Sequence, residues 1–250
     1  MGFARIARRD GAAFALVEED KVTEITGTPF GPWEKSGTSV SIDDASLLAP
    51  VIPIKILAMA ENFRSHSGGE ARHTVPQPFW KTSNAVIGPK EAIVLPRDAG
   101  RVDAEGELVA VMGTRCTKVV PEEALKHVLG YMCGNDVSAR EWQSSDRQWW
   151  RAKSSDTFAP IGPVITTDLN PAEIDVITRV NGEEVQRCSV AEMIFDFAAI
   201  ISFISQSVTL EPGDLIFSGT SGTPATLNDG DTVEVEATGI GILNNSVVLE

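Results

Sequence analysis

The stretch Arg101–Gly113 reads RVDAEGELVAVMG. Asp103, Glu105 and Glu107 fall at every second position, and from Leu108 to Met112 the chain is apolar. Strand side chains alternate faces, so Glu105 and Glu107 share one face, their Cα atoms roughly 7 Å apart. Carboxylates that close repel unless water, a basic group or a cation lies between them. Two readings are open on spacing alone. One is a solvated edge strand, which spacing by itself favours because acidic pairs on exposed strands are common. The other is part of a cation site.

Around this stretch the chain runs to 250 residues, enough for one large core, or one core and a small appendage. An apolar fraction of 42% with 22% charged residues is that of an ordinary soluble globular protein. The net charge of −14 argues against nucleic acid or an anionic membrane as partner. It does not argue against a small anion, because a local basic cluster can outweigh the average. Cys116, Cys133 and Cys188 are odd in number and lack C-x-x-C spacing, which points to free thiols in a reducing compartment and away from zinc. The opening residues lack the apolar block of a secretion signal, and no apolar run reaches the ~18 residues of a membrane span. A cytoplasmic setting is expected.

Residues 3–25, FARIARRDGAAFALVEEDKVTEI, read as three short strands with turns at Arg9-Asp10-Gly11 and Glu18-Glu19-Asp20. TGTPFGPWEKSGTSVSIDD, rich in Gly, Pro and Ser, reads as a connector. Pro50 and Pro53 then lead into an apolar strand, so a boundary is expected near residue 50: a small N-terminal β domain over 1–50 and a main domain over 51–250. The main domain is mainly β with some α, an α+β class. Strands are expected over 54–59, 92–95, 108–112, 164–166, 176–180, 215–218, 232–235 and 246–249. Helical periodicity marks PEEALKHVLGYM, which has Pro121 at its start, and SVAEMIFDFAAIISFISQS, with Met193, Phe197, Ile200, Ile201 and Ile204 as a core stripe.

Asp136, in the polar break GNDVSAR, offers a third oxygen ligand to Glu105 and Glu107. Three carboxylates suit a hard divalent cation such as Mg²⁺ or Mn²⁺; the bland reading of Asp136 is a cap. The segment SAREWQSSDRQWWRAKSSDTF gathers Arg140, Gln143, Arg147, Arg151 and Lys153 in an acidic protein, and such donors hold a substrate carboxylate. Its bland alternative is an exposed loop. ENFRSHSGGEARHTV carries His66 and His73, and a loop histidine beside Gly-Gly and a glutamate suits a mobile general base. A loop histidine is also a common surface residue. GTSGTP lacks the Gly-Lys-Ser/Thr end of a phosphate loop, and no G-x-S-x-G elbow occurs.

Taken in order, ENFRSH, P-x-P-F-W-K, DAEGELVAVMG, GNDVSAREWQ, AKSSDTFAPIGP, VNGEEVQ, LEPGDLIFSGT and GDTVEVEATGIG resemble the fumarylacetoacetate hydrolase superfamily from Pro53 to Val248. The early β segment is similar to the small N-terminal domain of its bacterial members. The resemblance implies a mixed β-roll catalytic domain, a homodimer, and one Mg²⁺ or Mn²⁺ per chain held by Glu105, Glu107 and Asp136. It also implies substrate contacts from Arg140, Gln143 and Thr220, a catalytic Lys153, and a lid base at His66. The acid that partners this base in the family lies three residues on; here that position is Gly69, and Glu70 follows. Ala60 and Phe63 stand where the family often has Gly and Tyr, and SGTSGTPA replaces T-G-T-P-x-G-x-G.

The implied substrate is a small anionic 2-oxo acid, whose enolate a cation stabilises. The reaction expected first is hydrolysis of a C–C bond in an acylpyruvate- or fumarylpyruvate-like acid. Decarboxylation or tautomerisation of oxaloacetate and a double-bond shift in 2-hydroxyhepta-2,4-diene-1,7-dioate use the same site. A binding module without catalysis is the remaining class, and it would need none of Lys153, Arg140 and Gln143.

Overall fold

A computed structural model of the chain describes residues 1–66 and 68–250. The strand Gly106–Met112 lies inside the largest sheet, antiparallel to Val128–Asn135 on one side and to Leu215–Phe217 on the other. Its residues alternate between two cores: Leu108, Ala110 and Met112 enter one, Val109 and Val111 the other. A strand covered on both faces reads as a continuous apolar run, which is the pattern of 108–112. The solvated-edge reading of the acidic pair falls here, because Glu105 and Glu107 are 4% and 2% exposed.

The largest sheet continues from Val128–Asn135 to Ala159–Thr166, then to Gly2–Arg8, Gly11–Glu18, Lys21–Gly27 and Trp33–Ser41. Beyond Leu215–Phe217 it continues to Ile56–Met59, paired in parallel, and Pro78–Lys81. A five-stranded sheet runs Glu183–Ser189, Asp175–Val180, Thr232–Ala237, Gly241–Leu249 and Ile93–Leu95. A third, three-stranded sheet joins Ser138–Ala139, Val102–Ala104 and Ala225–Thr226. This is the mainly β, α+β architecture expected. Val176, Val235 and Leu243 of the second sheet share a core with Leu108 and with Phe197, Ile200, Ile201 and Ile204 of the helix Phe197–Ser205. Asp196 caps that helix by accepting the Ala199 N–H at 2.8 Å.

The N-terminal segment joins the same sheet through Gly2↔Thr166 and Phe3↔Ile165, and Phe3, Leu16 and Ile25 pack with Val109 and Val111. Two local expectations change. The helix expected over PEEALKHVLGYM is one turn, Pro121–Ala124, followed by a 3₁₀ turn, Leu125–His127, and then a strand. From Val128 onward the backbone bonds to strands on both sides, and V-L-G-Y-M is a weak helix former. The expected connector holds a nine-residue strand, Trp33–Ser41. It is a largely exposed hairpin arm, so no apolar pattern is needed to place it; Trp33 packs edge-on against Phe3 at 5.6 Å. Among the described residues no helix is long and apolar enough to cross a membrane.

Leu108→Ala should lower unfolding free energy by about 2–5 kcal/mol. Phe203→Ala, on the outer face of Phe197–Ser205, should change it by about 0.5 kcal/mol or less. Urea denaturation of the two variants checks this; similar losses would mean that the 108–112 run is not the centre of the core.

Candidate active site

Glu105 sits between the strands Val102–Ala104 and Gly106–Met112, and its backbone is fixed at both ends. Its N–H donates to Asn135 Oδ1 at 2.9 Å, and its carbonyl accepts from the Asp136 N–H at 2.9 Å. Gly106 faces the opposite way, where a Cβ would come 2.0 Å from Thr178 Oγ1. Only glycine fits there, and the close packing keeps Glu105 and Glu107 together on the other face. Glu107 accepts the Gly219 N–H at 2.7 Å. Gly219 has φ +84° and no room for a Cβ, which would lie 2.9 Å from Met59 O. Asp136 follows Asn135 at the end of the paired strand, so antiparallel register carries it to the glutamates. One ligand oxygen from each of Glu105, Glu107 and Asp136 lies within 4.8 Å of the others.

Three cations line this cluster. Lys153 Nζ lies 2.7 Å from Glu105 Oε2 and 2.5 Å from Asp136 Oδ2. Lys81, fully buried, donates to Asp136 Oδ1 at 2.6 Å and to the Lys153 carbonyl. Arg140 spreads its fork over Asp103 (2.7 Å), Glu105 (2.6 Å) and Gln143 Oε1 (2.8 Å). Asp103 therefore serves as the buttress of Arg140, and it also accepts from Arg101 at 2.7 Å.

These contacts set the charges. Burial alone would raise the Glu105 pKa, but Lys153 and Arg140 outweigh it and hold the carboxyl well below the ordinary range. Glu107 goes the other way: burial, then Asp136 and Glu105, push it well above that range. Burial opposes the Lys153 charge, yet Asp136 and Glu105 win and its pKa is raised. For Lys81 burial prevails, aided by Lys153, and its pKa is lowered. A buried carboxyl beside two others, with no cationic side chain bonded to it among the described residues, is a position that a cation would relieve. Three oxygen donors suit Mg²⁺ or Mn²⁺, so the residues present fit such an ion.

The cluster opens into a cavity of about 460 Å³ lined by Glu105, Glu107, Asp136, Arg140, Gln143, Lys153, Thr220 and His66. Thr220 Oγ1 donates to the Gly106 carbonyl at 3.2 Å, tying the rim to the acidic strand. His66 Nδ1 lies 2.8 Å from Gly222 O, and Asn62 anchors the loop base through Phe195 and Ser218. Glu70 is exposed and, like Arg147 and Arg151, is not among the lining residues; Arg151 is instead paired with Asp146, and the structure brings the other sequence-derived site residues together.

Sequence reading missed Lys81, Glu61, Phe79 and Trp149, of which all but Lys81 line the cavity, and His73, named beside His66 from the sequence, lines it too. Alternation along P-F-W-K puts Phe79 and Lys81 on one face, and that was the available signal for Lys81. Trp149 meets Phe79 edge-on at 5.2 Å, while Lys153 stands 4.9 Å over the Phe79 ring. Gln148 and Trp149 both take left-handed backbone angles, with φ 60° and 55°. No sequence pattern announces that turn.

A family model, fumarylacetoacetate (FAA) hydrolase C-terminal, matches residues 55–248. The chain belongs to the fumarylacetoacetate hydrolase family. A second model, Rv2993c-like N-terminal, matches residues 1–50. The crystal structure of 2-hydroxyhepta-2,4-diene-1,7-dioate isomerase from Mycobacterium marinum is 41% identical, covering 100% of this chain and 99% of that one, with a TM-score of 0.92. Oxaloacetate tautomerase FAHD2A, mitochondrial, of Bos taurus is 35% identical over 82% of this chain and 70% of its own length. Maleylpyruvate hydrolase from Sphingobium sp. SYK-6, solved in complex with manganese(II) ion and pyruvate, is 27% identical, covers 100% of this chain and 99% of its own, and has a TM-score of 0.83. Members of this fumarylacetoacetate hydrolase family thus include an isomerase, a tautomerase and a hydrolase, and one of them binds Mn²⁺.

Glu107→Gln should weaken Mn²⁺ binding at least tenfold while leaving the urea midpoint within error or higher, since it replaces a buried carboxyl whose ionisation is disfavoured. Because Glu107 holds its proton above the ordinary carboxyl range, Mn²⁺ should displace that proton, and wild-type affinity should tighten as pH rises above about 4.3. Calorimetry in buffers of different ionisation enthalpy checks both; pH-independent affinity would remove Glu107 from the ligand set.

Proposed function

We propose that the chain is an enzyme that moves a proton next to the keto group of a small 2-oxo dicarboxylic acid, a tautomerase or isomerase. The observation that carries this reading is the buried group of three carboxylates packed against Lys153, Lys81 and Arg140 in one cavity. When bound by Glu105, Glu107 and Asp136, Mg²⁺ or Mn²⁺ supplies Lewis-acid stabilisation of negative charge on an enolate oxygen. The three cations and three carboxylates balance, so with a divalent ion added the surplus matches a dicarboxylate in size and opposes it in sign.

The chain's own residues supply the rest. Gln143 Oε1 is taken by Arg140, which leaves the Gln143 NH₂ group as the donor for a substrate carboxylate. Lys153 uses two of its three N–H bonds on Glu105 and Asp136, and the third faces the substrate oxygen on which charge develops. His66 gives its Nδ1–H to the Gly222 carbonyl, so Nε2 carries the lone pair of the neutral ring and accepts the substrate's C3 proton.

Hydrolysis of an acylpyruvate is the second reading, favoured by that same tautomer, since Nε2 would equally take a proton from water. It asks more of the loop, because a water must be held between base and substrate. Glu70, the acid expected to help, lies outside the cavity lining. Direct proton transfer needs no such water.

The Mn²⁺-loaded protein should tautomerise oxaloacetate and exchange its C3 protons with D₂O, and excess chelator should abolish both. Lys153→Met should lower the rate ~10²–10³-fold and His66→Ala ~10²–10⁴-fold. Parallel assays with acetylpyruvate and fumarylpyruvate decide between the readings: cleavage faster than tautomerisation would make the protein a hydrolase.

A further inference from the structure

His66 is not the only imidazole at the cavity. His73 also lines it, and so does Glu61, whose carboxylate holds His73 Nε2 at 2.8 Å. Glu61 Oε1 accepts from Arg72 Nη1 at 2.6 Å, so one carboxylate fixes two consecutive residues of the loop. Glu61 takes this position with φ 52°, a left-handed conformation that costs a non-glycine residue about 1–2 kcal/mol. Such strain persists where the surroundings over-determine it, as here between the strand Ile56–Met59 and the buried Asn62.

The two histidines differ in the partner that orients them. A backbone carbonyl holds His66 through Nδ1, which leaves a lone pair at Nε2. A carboxylate holds His73 through Nε2, so Nε2 keeps its hydrogen and Nδ1 is the exchangeable site. Glu61 also supplies the counter-charge of the protonated ring. The His73 side chain is 39% exposed, which lets solvent restore a proton after each turnover.

We propose that His73, oriented by Glu61, is a second proton-transfer residue of this cavity, serving the end of an extended substrate farther from the carboxylate cluster. The proposal rests on the proton-shift reading. For a 2-oxo-4-enedioic acid the step balances without any co-reactant. His66 takes the C3 proton, and the electron pair spreads over C3, C4, C5 and the C2 oxygen. Protonated His73 then gives its Nδ1 proton to C5 as the pair returns, leaving the 2-oxo-3-ene isomer. His66 loses its proton to solvent and His73 regains one. Glu61 is the positioning residue, and it acts only through His73.

The test uses the full chain loaded with Mn²⁺, a 2-oxo-4-enedioate in D₂O, and proton NMR at C3 and C5. In His73→Gln, C3 exchange should stay within about threefold of wild type while deuterium entry at C5 falls ~10²-fold or more. Glu61→Gln should lower C5 deuteration about tenfold and Glu61→Asp should restore part of it. Glu61→Asn, which tolerates the left-handed backbone, should match Glu61→Gln and so separate the lost carboxylate from a folding defect. The ¹⁵N shifts of His73 should show protonated Nε2 in wild type and lose that preference in Glu61→Gln, with Mn²⁺ affinity unchanged in every variant. Unchanged C5 deuteration in His73→Gln overturns the proposal. Equal loss at C3 and C5 also overturns it, since His73 would then be holding substrate. Wild type that exchanges C3 but never labels C5 defeats this proposal alone; wild type that exchanges neither defeats the proton-shift reading beneath it.

Discussion

Glu105, Glu107 and Asp136 are three carboxylates out of water and within reach of one another. Removing charges from water costs several kcal/mol per ion unless partners compensate. Lys153, Lys81 and Arg140 provide that compensation, and they come from three different secondary-structure elements. Compensation is uneven. Glu105 is held ionised by Lys153 and Arg140 despite burial, whereas Glu107 has a single backbone N–H from Gly219 and resists ionisation. The asymmetry leaves a place for a hard cation at Glu107 and a preformed cationic wall opposite.

The sheets hold this arrangement in place. A central strand flanked on both sides cannot slip register without moving its apolar set out of two cores at once. Glu105 and Glu107 inherit that rigidity, since they lead directly into Leu108–Met112. The contact of Gly106 with Thr178 ties the acidic face to the second sheet, and Thr220 ties it to the rim. The inner site is thus built on strands, where precision is greatest.

The outer wall is built differently. The segments 61–66 and 68–73 are held by Asn62, by the Gly222 carbonyl and by Glu61, and the two left-handed residues Gln148 and Trp149 place the indole against Phe79. Of the positions that depart from the pattern expected from the sequence, Ala60 lines the cavity, Phe63 is buried in the core behind it, and the SGTSGTPA rim contributes Thr220.

By itself the sequence determined the strand alternation at 103–107, the apolar run behind it, and the ordered motifs that carry the family and the three carboxylates. Each of these is local: a spacing, a period or a short block read in order. The helix expected through Met132 failed because strand partners on both sides decide that segment, and the Trp33–Ser41 strand was hidden because an exposed arm needs no apolar code. Only the tertiary structure decided that the acidic pair is buried, that Asp103 braces Arg140, and that Lys81 crosses from residue 81 to Asp136. It also decided which histidine has a carboxylate: Glu70 is exposed and outside the cavity lining, while Glu61, twelve residues before His73, meets it. Hydrogen bonds across such separations depend on where loops return, and no spacing along the chain records that.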